Sequence, residues 1–154
     1  MAFSESMQKS LGDGGTRLDI RLAQPRAARR DACAGSVSLL VGTRAATLQA
    51  LLLRVLSASR HWTDEENQTI SEAEARTMPH RRHLSPTWIH ETISEVRVDL
   101  GRTIEPGEMA DIEVSFVIPE RCPLSGPANV IRVHVQAVME GQIDPTDGAI
   151  LTVA

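Results

Sequence analysis

The sequence predicts an all-β protein, an antiparallel sandwich or barrel. Three observations carry that prediction. Apolar residues recur at every second position in several short runs, the pattern of a strand with one face on a core. Turn signals separate the runs, at Gly42-Thr43, Pro106-Gly107, Gly126-Pro127 and Asp147-Gly148. Neither a βαβ rhythm nor a G-x-G-x-x-G fingerprint interrupts them.

The chain opens differently. Phe3, Met7 and Leu11 recur at i, i+4 and i+8, one face of a short helix over 3–11 that Ser4 or Ser6 can cap. So short a helix is unstable alone and is expected to dock on the sandwich; contact with a membrane through 3–11 is the less favoured expectation. The chain therefore divides into an N-terminal segment, 1–15, and a sandwich domain, 16–154.

Thr16 to Leu22 alternates strictly until Gln24-Pro25 breaks the run, and Val37, Leu39 and Val41 line one side of the next strand. Residues 45–58 are ambiguous. Leu48, Leu51, Leu52, Val55 and Leu56 fall at helical spacing in good helix formers, yet the same residues permit a strand buried on both faces. Between Arg60 and Pro86 the composition is polar, with Trp62 and Ile70 as anchors, and predicts a long hairpin or loop. Thr87 to Leu100 returns as a strand presenting Ile89, Val96 and Val98. Ala110, Ile112, Val114, Phe116 and Ile118 alternate up to Pro119, Ile131 to Met139 repeats the period, and Ala149, Leu151 and Val153 form the last strand.

Composition narrows the function classes. The 154 residues suit one domain, and 42% hydrophobic with 23% charged residues is a soluble globular balance. No apolar stretch approaches the ~20 residues of a membrane-spanning helix. The opening segment lacks the basic and apolar regions of a secretion signal, so a cytoplasmic protein with reduced Cys33 and Cys122 is expected. Net charge is −4 and only 3% of residues are aromatic, which disfavours a nucleic-acid role. Residues 1–60 sum to +5 and the remainder to −9, but sequence halves need not be spatial halves.

Little of the sequence suggests catalysis. His80 and His83 stand at i, i+3, and His90 offers a third nitrogen for zinc, but Arg81 and Arg82 between them would repel a dication. Neither cysteine is tied to a histidine, and no G-x-S-x-G, P-loop or H-E-x-x-H occurs. Turn chemistry is clearer. In Glu105-Pro106-Gly107-Glu108, Pro106 fixes φ and Gly107 accepts positive φ, the demand of a type II turn. In Asp144-Pro145-Thr146-Asp147, Asp144 can accept backbone hydrogen bonds while Pro145 sets the bend; calcium ligation by Asp144 and Asp147 is the weaker reading, because no D-x-D-x-D-G loop accompanies them.

Four segments in order carry a family resemblance: Gly12-Asp-Gly-Gly-Thr-Arg-Leu-Asp19; Asp31-Ala-Cys-Ala-Gly35-Ser-Val37; Thr103-Ile-Glu-Pro-Gly-Glu108 with Val114-Ser-Phe-Val-Ile-Pro119 and Cys122-Pro123; and Ile143-Asp-Pro-Thr-Asp147. Together they resemble the first domain of the bacterial sporulation-control family, over about residues 10 to 153. The resemblance implies an arrestin-type, immunoglobulin-like antiparallel β-sandwich, and makes 46–58 a long core strand. It departs from the family at Arg30-Asp31-Ala32, where a Pro-Gly-Glu turn is usual, and in the leucine-rich composition of 46–58. Family members usually carry a second sandwich, so a single-domain form or a fragment is expected.

The function so implied is a non-catalytic protein-interaction or scaffold module in bacterial development, with no cofactor. Arg26, Arg29 and Arg30, the densest basic cluster of the first half, are candidates for engaging phosphate or acidic segments, against the plainer reading of a solvated loop. Either a protein partner or a homodimer is expected. The alternatives are a self-associating structural subunit and, more weakly, a metal-dependent enzyme using His80, His83 and His90.

Overall fold

The computed structural model describes residues 15–78 and 83–154. Nine strands and one short helix follow in order: β1 Arg17–Leu22, β2 Arg26–Ala27, β3 Ala32–Leu40, β4 Ala46–Thr63, β5 Thr69–Ile70, α1 Glu72–Thr77, β6 Ser85–Ile104, β7 Met109–Val117, β8 Asn129–Met139 and β9 Thr146–Val153. They build two sheets. The smaller runs β1-β3-β7, entirely antiparallel. The larger runs β2-β9-β8-β4, with β6 along the other edge of β4 and β5 taking over from β8 at Trp62 and Thr63. The expected helix over 3–11 lies outside the described residues, as does His80.

Alternation explains the core between the sheets. Leu18 and Ile20 of β1, Val37 and Leu39 of β3, and Ala110, Val114 and Phe116 of β7 point inward from the smaller sheet. Ile131, Val133, Val135 and Ala137 of β8 meet them from the larger sheet, with Leu151 and Val153 of β9. Each large apolar side chain so buried contributes about 1.5–3 kcal/mol, which drives the sheets together.

The segment at 46–58 is a strand. Pairing shifts register between Leu48 and Ala50 on both neighbours, so β4 carries a bulge at Gln49. Ala46 and Leu48 face the core before it; Leu51, Leu53 and Val55 face the core after it. One inserted residue thus places Leu48, Leu51 and Val55 at i, i+3 and i+7, which imitates a helix. A second shift, between Val55 and Leu56, lets Ile93 of β6 drop into the core.

Within the span from Arg60 to Pro86, described residues form regular elements. β4 runs on to Thr63, Ile70 of β5 is buried, and α1 follows. Ser71 starts that helix by accepting the backbone N–H of Glu74 at 3.2 Å, and Ala75 is its buried residue. Among the described residues, no helix is long and apolar enough to cross a membrane.

Two turns tie the sheet ends together. Gly107 adopts φ +77 and donates its N–H to the Val41 carbonyl at 3.1 Å, which holds the β6–β7 turn against the end of β3. Asp144 accepts the Met139 N–H and the Gln136 side-chain amide, both at 2.8 Å, while the Pro145 carbonyl accepts the Ala137 N–H at 3.0 Å. Asp147 then accepts the Ile20 N–H at 3.0 Å, linking β9 to β1.

Candidate functional site

The outer face of the larger sheet gathers the side chains that the core does not use. Cross-strand pairing sorts them into rows. Trp88 of β6 stands opposite Arg60 of β4; His90 opposite Ala58 and Val130; Thr92 opposite Leu56, Arg132 and Ile150; Glu95 opposite Arg54 and His134.

At the α1 end of this face, Arg60 donates twice to the Glu72 carboxylate, at 2.6 and 3.1 Å, and the Trp62 indole N–H donates to it at 2.6 Å. The guanidinium also lies 5.2 Å from the Trp62 ring centroid, within cation–π range. The Arg60 donors, then the Trp62 hydrogen bond, hold the Glu72 carboxyl down to about 2. Arg76, one turn along α1, adds a longer contact at 3.8 Å. A cavity of about 410 Å³ opens beside the group, lined by Arg60, Trp62, Glu72, Ala75, Arg76 and Leu84.

Next along β4 is a second depression, of about 350 Å³, formed around Leu56, Ala58, Trp88, His90, Val130 and Arg132. Trp88 is 42% exposed and Ile150, beyond Arg132, is 60% exposed. Arg54 is paired with Glu95 at 2.7 Å and Arg60 with Glu72, but Arg132 has no hydrogen bond or ion pair among the described residues. His134, beside it, has a buried Nδ1 without a hydrogen-bond partner among the described residues; burial, then the Arg54 charge, pushes its pKa down.

The residues singled out from sequence lie elsewhere. Arg29 donates to the Cys122 carbonyl at 2.7 Å, and Arg30 pairs with Glu120 while its N–H donates to the Ile118 carbonyl at 2.7 Å. Both brace the segment after β7. Arg26 lies in β2, exposed, opposite Thr152 of β9, with no side-chain partner among the described residues. Arg29 and Arg30 are thus engaged with the 118–122 segment, whereas Arg26 is not. Arg30 also adopts φ +71, a left-handed conformation that favours glycine, at the turn where the sequence departs from Pro-Gly-Glu.

His83 contacts Glu65 at 2.7 Å, whereas His90 sits five residues into β6. The strand from Ser85 to His90 alone spans roughly 17 Å, so the two rings cannot share one metal ion. Among the described residues, no group of three His, Cys, Asp or Glu side chains could hold a metal. Burial pushes the thiols of Cys33 and Cys122 up, away from the reactive thiolate. Sequence reasoning flagged Trp62 as an anchor but not Arg60, Glu72, Trp88 or Arg132. The usable signal for α1 was Ser71-Glu72-Ala73-Glu74, a capping-box spacing.

A family model described as "Spo0M: SpoOM protein" matches residues 4–154. The chain belongs to the Spo0M family. A solved structure of Spo0M, sporulation control protein, from Bacillus subtilis matches with a TM-score of 0.70 at 19% identity, over 90% of this chain. The match takes in 49% of that chain, so this chain spans about half the length of that Spo0M. At such identity the likeness shows the fold, which is the mostly-β, two-sheet architecture described above. No curated protein matches the sequence.

Proposed function

We propose that this Spo0M-family chain is a non-catalytic interaction or scaffold module in the control of bacterial development, acting in the cytoplasm. In this reading its two sheets form an arrestin-type, immunoglobulin-like sandwich. The observation that carries the reading is the family match, which extends over residues 4–154.

The chemistry of the described side chains supports binding rather than turnover. The carboxyl held furthest from its ordinary value, Glu72, accepts three hydrogen bonds and is held ionised, which suits a brace and not a general acid. The thiols are held protonated by burial. What the fold offers instead is exposed apolar and cationic surface on a hydrogen-bonded sheet.

A tagged chain, expressed at its native level and purified with its associates, tests the reading by mass in solution. The expected result is a heterologous complex of fixed stoichiometry. Recovery of only the chain's own homodimer would favour the self-associating alternative, for which the edge of β6, without a strand partner among the described residues, supplies a surface. Stoichiometric bound metal would favour the enzyme alternative.

A further inference from the structure

The geometry points to the outer face of the larger sheet, at Trp88, Leu56, Val130, Arg132 and Ile150, as the docking site for an extended partner segment that carries an apolar residue and a carboxylate two positions apart. The inference rests on the interaction reading and names its surface and its partner chemistry.

The apolar half of the site is the depression of about 350 Å³ bounded by Trp88, Leu56 and Val130. An exposed tryptophan beside a preformed hollow is a large anchor whose burial costs little ordering entropy, since the sheet already fixes its backbone. The polar half is Arg132, exposed on β8 and without a hydrogen bond or ion pair among the described residues. The neighbouring arginines of β4 are neutralised, Arg54 by Glu95 and Arg60 by Glu72, and Arg26, unpartnered among the described residues, lies on β2, the far edge strand of the sheet, beyond β9. Among the described residues, a protein of net charge −4 thus keeps the Arg132 guanidinium uncompensated beside its apolar hollow. A guanidinium there selects a carboxylate, with which it forms paired, charge-assisted hydrogen bonds.

The spacing follows from the strand. Val130 and Arg132 lie two residues apart on the same face of β8, a separation of about 7 Å. A segment running along β8 in extended conformation repeats that distance every second residue, so its apolar and acidic side chains are at i and i+2. A second copy of this chain fits less well. Two-fold packing centred on the hollow would bring Arg132 toward its own counterpart, setting like charges together.

The test uses the full chain and a display library of random twelve-residue peptides. Selection should enrich peptides with Asp or Glu two positions from Leu, Ile, Phe or Trp. A synthetic copy of the enriched peptide should bind Trp88→Ala and Arg132→Glu at least tenfold more weakly, with circular dichroism and melting temperature unchanged. Replacing its acid with Lys should restore binding to Arg132→Glu. If either variant fails to fold, Ile150→Glu on the same row serves in its place.

Several outcomes overturn the inference: no enriched peptide, enrichment without an acid, or binding that the variants leave unchanged. So do a dimer mass that Trp88→Ala abolishes, and binding to phosphatidylglycerol vesicles that Arg132→Glu abolishes. A heterologous complex that survives both variants removes this surface and leaves the interaction reading standing. Peptide binding without any cellular complex does the reverse.

Discussion

The Asp147 carboxylate accepts the backbone N–H of Ile20 at 3.0 Å, a buried bond across 127 positions of sequence. Ile20 belongs to the smaller sheet and Asp147 to the larger, so the bond closes the sandwich along its β1–β9 side. Asp147→Ala leaves the Ile20 N–H buried without this acceptor, at a cost of about 1–3 kcal/mol. Asp147→Asn keeps an acceptor and is expected to cost less. Urea denaturation of the two variants checks the order; equal midpoints would remove this role.

The Glu72 carboxyl is expected to titrate at about 2, because Arg60 and Trp62 donate to its ionised form. Its folded-state value is depressed, so its contribution to stability is complete above the ordinary carboxyl value of 4.5 and fades as pH falls toward 2. Carboxyl-carbon NMR measures the midpoint directly. Arg60→Gln should move it upward, and a wild-type midpoint near 4.5 would contradict the geometry.

The bulge at Gln49 sets the inward register of β4, and leucine truncations read that register. Leu51 is fully buried whereas Leu52 faces outward and is half-buried, so Leu51→Ala should cost about 2–5 kcal/mol and Leu52→Ala clearly less. Denaturant unfolding of both proteins checks the ratio. Equal costs would indicate a helix-like or slipped register.

Gly107 holds φ +77 at the β6–β7 turn, with open space where a Cβ would sit. Gly107→Ala therefore costs backbone strain alone, about 1–2 kcal/mol. Gly126, equally uncrowded and without a positive φ, should accept alanine with little change. Parallel thermal melts distinguish the two substitutions.

Much of the fold was legible because β1, β7, β8 and β9 alternate in sequence without interruption, and burial follows that parity in β7, β8 and β9, while in β1 the polar Asp19 is buried as well. β4 was ambiguous for a physical reason. The extra residue at Gln49 shifts a period of two, and Leu48, Leu51 and Val55 then fall at helical spacing. Ile93 escaped notice through the second shift, and α1 because a six-residue helix with one buried residue has no period to detect. The candidate surface was less legible still. Trp88, Leu56 and Arg132 come from three strands, and only pairing register sets them side by side. Conversely, Arg29 and Arg30 look like a basic patch in sequence, but the turn around them spends both on the segment 118–122.

Site-directed photocrosslinking in the native host tests most directly whether the module works by binding through its larger sheet. A photoreactive residue at position 88 is compared with one at position 117, where Val117 is 56% exposed on the smaller sheet. The predicted result is a discrete adduct with another protein from position 88 alone, lost when Arg132→Glu is added. No adduct from position 88, or the same adducts from both positions, would contradict it.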